Sequence, residues 1–240
     1  MALHEVELVR REIVAEGTMA FYFTKPAAFR HQAGQSMLVT LVEPPETDGQ
    51  GDSRTFTIAS APHEPELMVA TRMRDTAFKR VLKTAPPGAK IALDGPNGEM
   101  VLHGDPSRPA AFLAGGIGIT PFLAMARHAA SARLAHRLFL FYSNRRPEDA
   151  AFLSELRGLE KANPHYRLIA TMTEPDKSAQ PWSGETGFIR REMLERCLPD
   201  LIAPIYYFAG PPAMTMAMHR MLEECGLGEE SMRSEEFYGY

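Results

Sequence analysis

Two different rhythms along the chain predict an antiparallel β-barrel followed by a doubly wound, parallel-sheet α/β domain. The first is a series of short β-like runs at residues 5–14, 17–23, 36–42, 54–59, 66–71 and 90–93, broken by Gly, Pro and polar turns. The second follows residue 108, where apolar runs at 110–114, 138–142, 166–171 and 205–208 alternate with helical stretches at 121–130, 147–159, 190–197 and 212–225. Unbroken apolar runs of this kind belong to strands covered on both faces. A polar joint at 103–108 separates the halves, giving a first domain of residues 1–104 and a second of residues 105–240.

In chain order, residues 47–53 form a polar tip between two strands, and residues 76–83 are the single clear helix of the first half, capped by Thr76 or Asp75. Residues 95–98 (Gly, Pro, Asn, Gly) are a turn that either adjoins a bound group or merely connects strands. In the second half, Met214, Met216, Met218 and Met221 lie at helical spacing and fill core gaps or line a ligand, the former being the commoner use of Met. Arg72, Arg74, Lys79, Arg80 and Lys83 face one nearby acid, Asp75, and form either a steering patch or a solvated face.

Composition narrows the function classes. With 26 Lys and Arg against 30 Asp and Glu, a net charge of −4 and no long basic block, nucleic-acid binding is not expected. Charged residues interrupt the N-terminal ten positions, and no apolar run approaches the roughly 18 residues of a membrane span, so the expectation is a cytoplasmic protein without membrane contact. Two cysteines cannot form a four-thiolate cluster, and the eight histidines lack metal-ligand spacing, so no metal is expected.

Two local patterns carry chemistry. Residues 110–121 run from a strand into Gly115, Gly116 and Gly118 and then a helix start, with Thr120 at the cap and Pro121 in the first turn. Such a turn brings backbone close to a pyrophosphate and points N–H groups at it; alternatively it packs against a neighbouring strand. Residues 54–60 read as a strand with Arg54, Phe56 and Ile58 on one face and Thr55, Thr57 and Ala59 on the other.

Taken together with residues 95–98, Ala209 to Pro212, and the terminal Glu235, Glu236, Phe237, Tyr238, Gly239 and Tyr240, these patterns make nearly the whole chain resemble the ferredoxin-NADP reductase superfamily. The resemblance implies a Greek-key β-barrel binding FAD, a nucleotide-binding domain holding NADPH or NADH, and hydride transfer in the cleft between them. It further implies that Arg54 contacts the FAD pyrophosphate, Phe56 lies against the flavin ring, and Thr57 offers its hydroxyl to the flavin nitrogen that accepts the hydride. These residue types suit those tasks, a fork for phosphate, an aromatic face and a reversible donor. Thr76, Ala77, Phe78 and Lys79 would hold the pyrophosphate from its other side through helix-terminal N–H groups, with Lys79 standing where many relatives have Ser.

By the same resemblance, Gly116, Gly118, Ile119 and Thr120 face the nicotinamide dinucleotide, and Gly210 and Pro211 shape the nicotinamide floor. Ala209 stands where many relatives carry a Cys. Ser143, Arg145 and Arg146 follow the second strand of this half, and two guanidiniums there suit a 2′-phosphate, favouring NADPH, unless they form a solvated turn beside Glu148 and Asp149. Glu235 would reach the reacting region or remain solvated. Phe237 would stack on the flavin, with Tyr240 extending over FAD, unless the tail is only an edge strand. Thr57, Glu235 and Phe237 are therefore the expected catalytic residues.

The implied function is hydride transfer from NAD(P)H to FAD, then single-electron delivery to a separate small acidic partner such as a ferredoxin, a flavodoxin or an oxygenase component. A flavin or ferric-chelate reductase, or a flavin- or nucleotide-sensing subunit without turnover, are the alternatives.

Overall fold

The computed structural model describes residues 3–237. The first half contains β1 (Leu3–Ala15), β2 (Thr18–Thr24), β3 (Ser36–Leu41), β4 (Ser53–Thr57), β5 (Glu66–Arg72), α1 (Ala77–Thr84) and β6 (Lys90–Asn97). They form an antiparallel sheet in the order β4-β3-β6-β1-β2-β5, with β6 returning between β1 and β3 in a Greek-key crossing. The ends approach each other because the chain beyond β4 bonds to β5, Ala59 N–H donating to Met68 O and Met68 N–H to Ser60 Oγ.

β2 shows why the barrel is not a separate globule. Its Met19, Phe21 and Phe23 enter the barrel core with Leu67 and Val69 of β5, and Phe78, Val81 and Leu82 of α1 close that core. The opposite face, Ala20 and Tyr22 with Met68 and Ala70, is equally buried but packs with the second half. A strand whose alternate residues satisfy two cores carries apolar residues on both faces.

The second half contains β7 (Ala110–Gly115), α2 (Thr120–Ala132), β8 (Leu138–Asn144), α3 (Leu153–Ala162), β9 (Tyr166–Met172), β10 (Glu185–Thr186), α4 (Arg191–Cys197), β11 (Ile205–Gly210), α5 (Pro212–Glu224) and β12 (Met232–Glu236). All its strand pairs are parallel, in the order β10-β9-β8-β7-β11-β12. On β7, Ala110, Phe112 and Ala114 face α2 and α3, whereas Ala111 and Leu113 face α4 and α5. Among the described residues no helix is long and apolar enough to cross a membrane.

Several local expectations change. The helix expected at 147–159 starts only at Leu153: residues 147–149 make one 3-10 turn and Phe152 adopts a left-handed φ of 60°, so the Pro opens a turn rather than the helix. Residues 95–97 extend β6 instead of forming only a turn, with a bulge opposite β3. The tail expected after α5 includes a sixth parallel strand, β12. Of the Met series, Met218 is buried and Met214 and Met221 pack beside it, but Met216 is 63% exposed.

Candidate functional site

Topology fixes where a ligand can enter. The chain leaves β7 towards β8 on one side and returns to β11 on the other, so loops diverge beyond the carboxyl ends of β7 and β11 and leave a crevice. The start of α2 and the end of β12 border it, and barrel residues form the other wall of a cleft of about 610 Å³. The cleft brings together Arg54, Phe56, Thr57, Thr76, Lys79, Thr120, Glu235 and Phe237. Sequence reasoning did not place Gln50, Thr55 or Thr71 there, whereas Arg72 and Arg74, read as part of either a steering patch or a solvated face, both line this cleft.

Thr57 is 6% exposed, and its Oγ1 is enclosed without a hydrogen-bond partner among the described residues. An enclosed hydroxyl left unpaired is costly, so this orphan marks a position built for a group from outside the chain. Phe56 beside it packs at 5.8 Å, ring centre to ring centre, on Phe78, whose own side chain belongs to the barrel core. Phe78 and Ala77 therefore offer a ligand only their backbone.

Arg54 is already engaged. Its Nη1 donates to Gln50 O at 2.9 Å, Gly51 O at 3.1 Å and Ser53 O at 2.7 Å, and its Nη2 to Gln50 Oε1 at 3.1 Å. Lys79 Nζ donates to Arg72 O at 2.7 Å, and burial, followed by the charges of Arg74 and Arg54, lowers its pKa to about 8. Opposite them, Glu235 is half-buried rather than solvated. Its Oε2 is enclosed without a partner among the described residues, and desolvation raises its pKa above the ordinary carboxyl range.

The glycine turn differs from its expected form. Residues 116–119 are a 3-10 turn, and Thr120 is the first residue of α2 rather than its N-cap; its hydroxyl donates to Ile117 O at 3.1 Å instead of accepting from the helix. The side chain of Ile119 is fully buried in the core, so only its backbone faces outward chemistry. Gly118 answers to packing, because a Cβ there would stand 2.2 Å from Ala209 O. Gly116 has a φ of 53°, which glycine adopts without strain.

The other expected residues that the structure describes are outside the cleft lining. Gly210 ends β11, accepts Phe237 N–H at 3.0 Å and thereby continues the ladder that brings Phe237 to the cleft; Pro211 precedes α5. Ser143 pairs with Gly115 across β7 and β8. Arg146 is held by Asp149 at 2.8 Å, Glu16 at 3.1 Å and Glu148 at 3.3 Å, while Arg145 is exposed and its side chain forms no ion pair among the described residues. Tyr240 lies outside the described residues. On the far side of α5, His219 bonds Glu229 at 2.7 Å near Glu223, an exposed ion-pair group.

Fold and site define a barrel-plus-parallel-sheet architecture, in which a barrel cleft holding a hydroxyl unpaired among the described residues meets the switch point of a dinucleotide-type sheet. Residues 112–220 match the family model for the oxidoreductase NAD-binding domain. The chain is 30% identical to ferredoxin–NADP reductase B of Sorangium cellulosum over 188 residues, 78% of this chain and 72% of that one. It is 28% identical to the glycine betaine monooxygenase reductase subunit of Chromohalobacter salexigens over 223 residues, 92% of this chain, and it spans 60% of that relative's length. The crystal structure of a ferredoxin NADP+ reductase from Neisseria gonorrhoeae with bound FAD and NADP superposes with a TM-score of 0.80 at 19% identity, covering 98% of this chain and 99% of that one. The chain belongs to the ferredoxin reductase-like superfamily of FAD- and NAD-binding oxidoreductases.

Proposed function

We propose that this chain takes hydride from NAD(P)H onto FAD and passes electrons one at a time to a separate acceptor, with residues 1–104 holding FAD and residues 105–240 the nicotinamide coenzyme. The observation that carries the reading is the enclosed, unpartnered Thr57 hydroxyl beside Phe56, in a cleft bordered by the switch-point end of the parallel sheet. When bound, FAD supplies the conversion of a two-electron donor into one-electron steps.

The chain's own contributions follow from its side chains. Arg54, Arg72 and Arg74 bring positive charge to the cleft, which favours a pyrophosphate. Phe56 and Phe237 supply aromatic surface for a planar ring and exclude water from it. Thr57 Oγ1 would donate to or accept from the flavin nitrogen that takes the hydride. Burial raises the Glu235 carboxyl above its ordinary range, which favours its neutral form at the cleft edge relative to an exposed glutamate. The 28% identity to an oxygenase reductase subunit supports an oxygenase component or a ferredoxin-type protein as acceptor. Arg145, exposed and without a carboxylate partner among the described residues, supports NADPH as the preferred donor.

The purified protein is expected to be yellow with about one FAD per chain, and anaerobic NADPH should bleach its flavin band near ~450 nm faster than NADH does. A colourless protein that gains no flavin on reconstitution, or a flavin band unmoved by either coenzyme, rejects the reading.

A further inference from the structure

The loop between β3 and β4 is fastened over the start of α1 by carboxylates. Asp48 Oδ2 accepts Ala77 N–H at 2.8 Å, and its Oδ1 accepts Gln50 N–H at 2.9 Å and lies 3.8 Å from Arg54 Nη2. Those two backbone bonds, with the charges of Arg54 and Arg80, hold the Asp48 carboxyl below its ordinary range, so it is ionised at neutral pH. Glu46 in the same loop is bound by Arg80 of α1 at 3.0 and 2.7 Å. Gln50, at the tip, reaches the cleft and is tied to Arg54 through both its carbonyl and its side chain.

An N–H at the first turn of a helix and a guanidinium are the donors a phosphate would use. Here Ala77 N–H serves the Asp48 carboxylate, and Arg54 serves the carbonyls of the loop that carries it. The orphaned Thr57 hydroxyl, in the same cleft and more than nine-tenths buried, is separate evidence that the cleft takes a ligand. Whatever phosphate arrives at this end must therefore displace a carboxylate already seated on its donors.

Resting on the assignment of FAD to this cleft, we infer that Asp48 is an internal stand-in for a flavin-nucleotide phosphate, competing for Ala77 N–H and Arg54 and so setting the affinity for phosphate-bearing flavins. The exchange is one of hydrogen bonds alone. Ala77 N–H and the Arg54 guanidinium pass from Asp48 and the loop carbonyls to phosphate oxygens, and the released loop groups pass to water. Discrimination follows, since a flavin without phosphate has nothing to offer those donors and leaves the loop seated. If Asp48 instead served to order α1 and Arg54 for the ligand, its removal would weaken binding.

The test titrates full-length apoprotein with FAD and with riboflavin, following flavin fluorescence, in the parent, Asp48→Asn and Asp48→Ala. Both variants should bind FAD roughly threefold to tenfold more tightly, the size expected for a partly exposed charge at a helix terminus, and riboflavin as the parent does. Hydrogen exchange needs no variant: in the parent, residues 44–53 should exchange faster with FAD bound than without. If the parent binds FAD while folded variants bind it no more tightly, and residues 44–53 are slowed by FAD, this inference fails and the FAD assignment stands. If neither parent nor variants bind FAD, both fall.

Discussion

Lys79 shows how a single side chain joins burial to function. Its amine sits between cleft and barrel wall, donates to Arg72 O, and has guanidiniums rather than acids for electrostatic neighbours, so its pKa falls to about 8. An unfolded chain would titrate near ~10.4. Between these values the unfolded state holds a proton that the folded state has lost, so folding stability rises with pH across that window and the effect is absent below it. The stability advantage of Lys79→Met over the parent should therefore shrink from pH 8 to pH 10. Urea denaturation at pH 7, 8, 9 and 10 measures this, and a difference that stays flat would mean the amine keeps its ordinary pKa. Thr57 and Glu235 are the same kind of residue, with polar atoms enclosed at the cleft and unpartnered among the described residues, and their chemistry likewise follows from what surrounds them.

At the scale of elements, what was legible in the sequence depended on how much each segment's pattern reported its own surroundings. The barrel strands and β7, β8, β9 and β11 announce themselves because periodicity or unbroken apolarity encodes burial directly. β10 has two residues and β12 reads Met, Arg, Ser, Glu, Glu, so neither carries a strand signal; both exist because a parallel neighbour offers an open edge. Arg54, Phe56, Thr57, Glu235 and Phe237 were expected at the site through family resemblance and all line the cleft, whereas Asp48 lay in a polar tip whose seat on α1 is a tertiary fact. At Gly118 the packing alternative read from the glycine turn holds, since this residue makes room for β11. Gly118→Ala would drive a Cβ to 2.2 Å from a backbone oxygen that cannot swing aside. Its cost should be at the upper end of overpacking changes, about 3 kcal/mol, visible as a lower urea midpoint at unchanged slope. A variant as stable as the parent would show that the ends of β7 and β11 can separate freely.

Across the whole molecule, the two halves are joined strongly enough to behave as one folding unit. Ala20, Tyr22, Met68 and Ala70 of the barrel share a continuous apolar core with α2 and β7, and Glu16 N–H donates to Glu148 O at 2.9 Å further along the seam. Arg127 closes the other end. From α2, two turns beyond Thr120 at the cleft, it grips Glu155 of α3 at 2.5 and 2.8 Å and reaches Glu64 and Ala59 O of the barrel at 3.4 Å. Its side chain is 15% exposed, and the segment it touches begins two residues past Thr57, so it spans the seam behind both walls of the cleft. Heating should therefore give one cooperative transition with equal calorimetric and van't Hoff enthalpies, despite two sheets. Arg127→Met leaves Glu64 and Glu155 without their cation while keeping the side-chain bulk, at a cost of roughly 1–3 kcal/mol for a part-buried pair. That corresponds to a fall in Tm of roughly 2–10 °C for a chain of this size. The apolar seam survives the substitution, so a single transition should persist at the lower Tm. Calorimetry that resolved two transitions in the parent would refute the shared core, and two transitions only in Arg127→Met would show that the ion cluster, not the apolar seam, couples the halves.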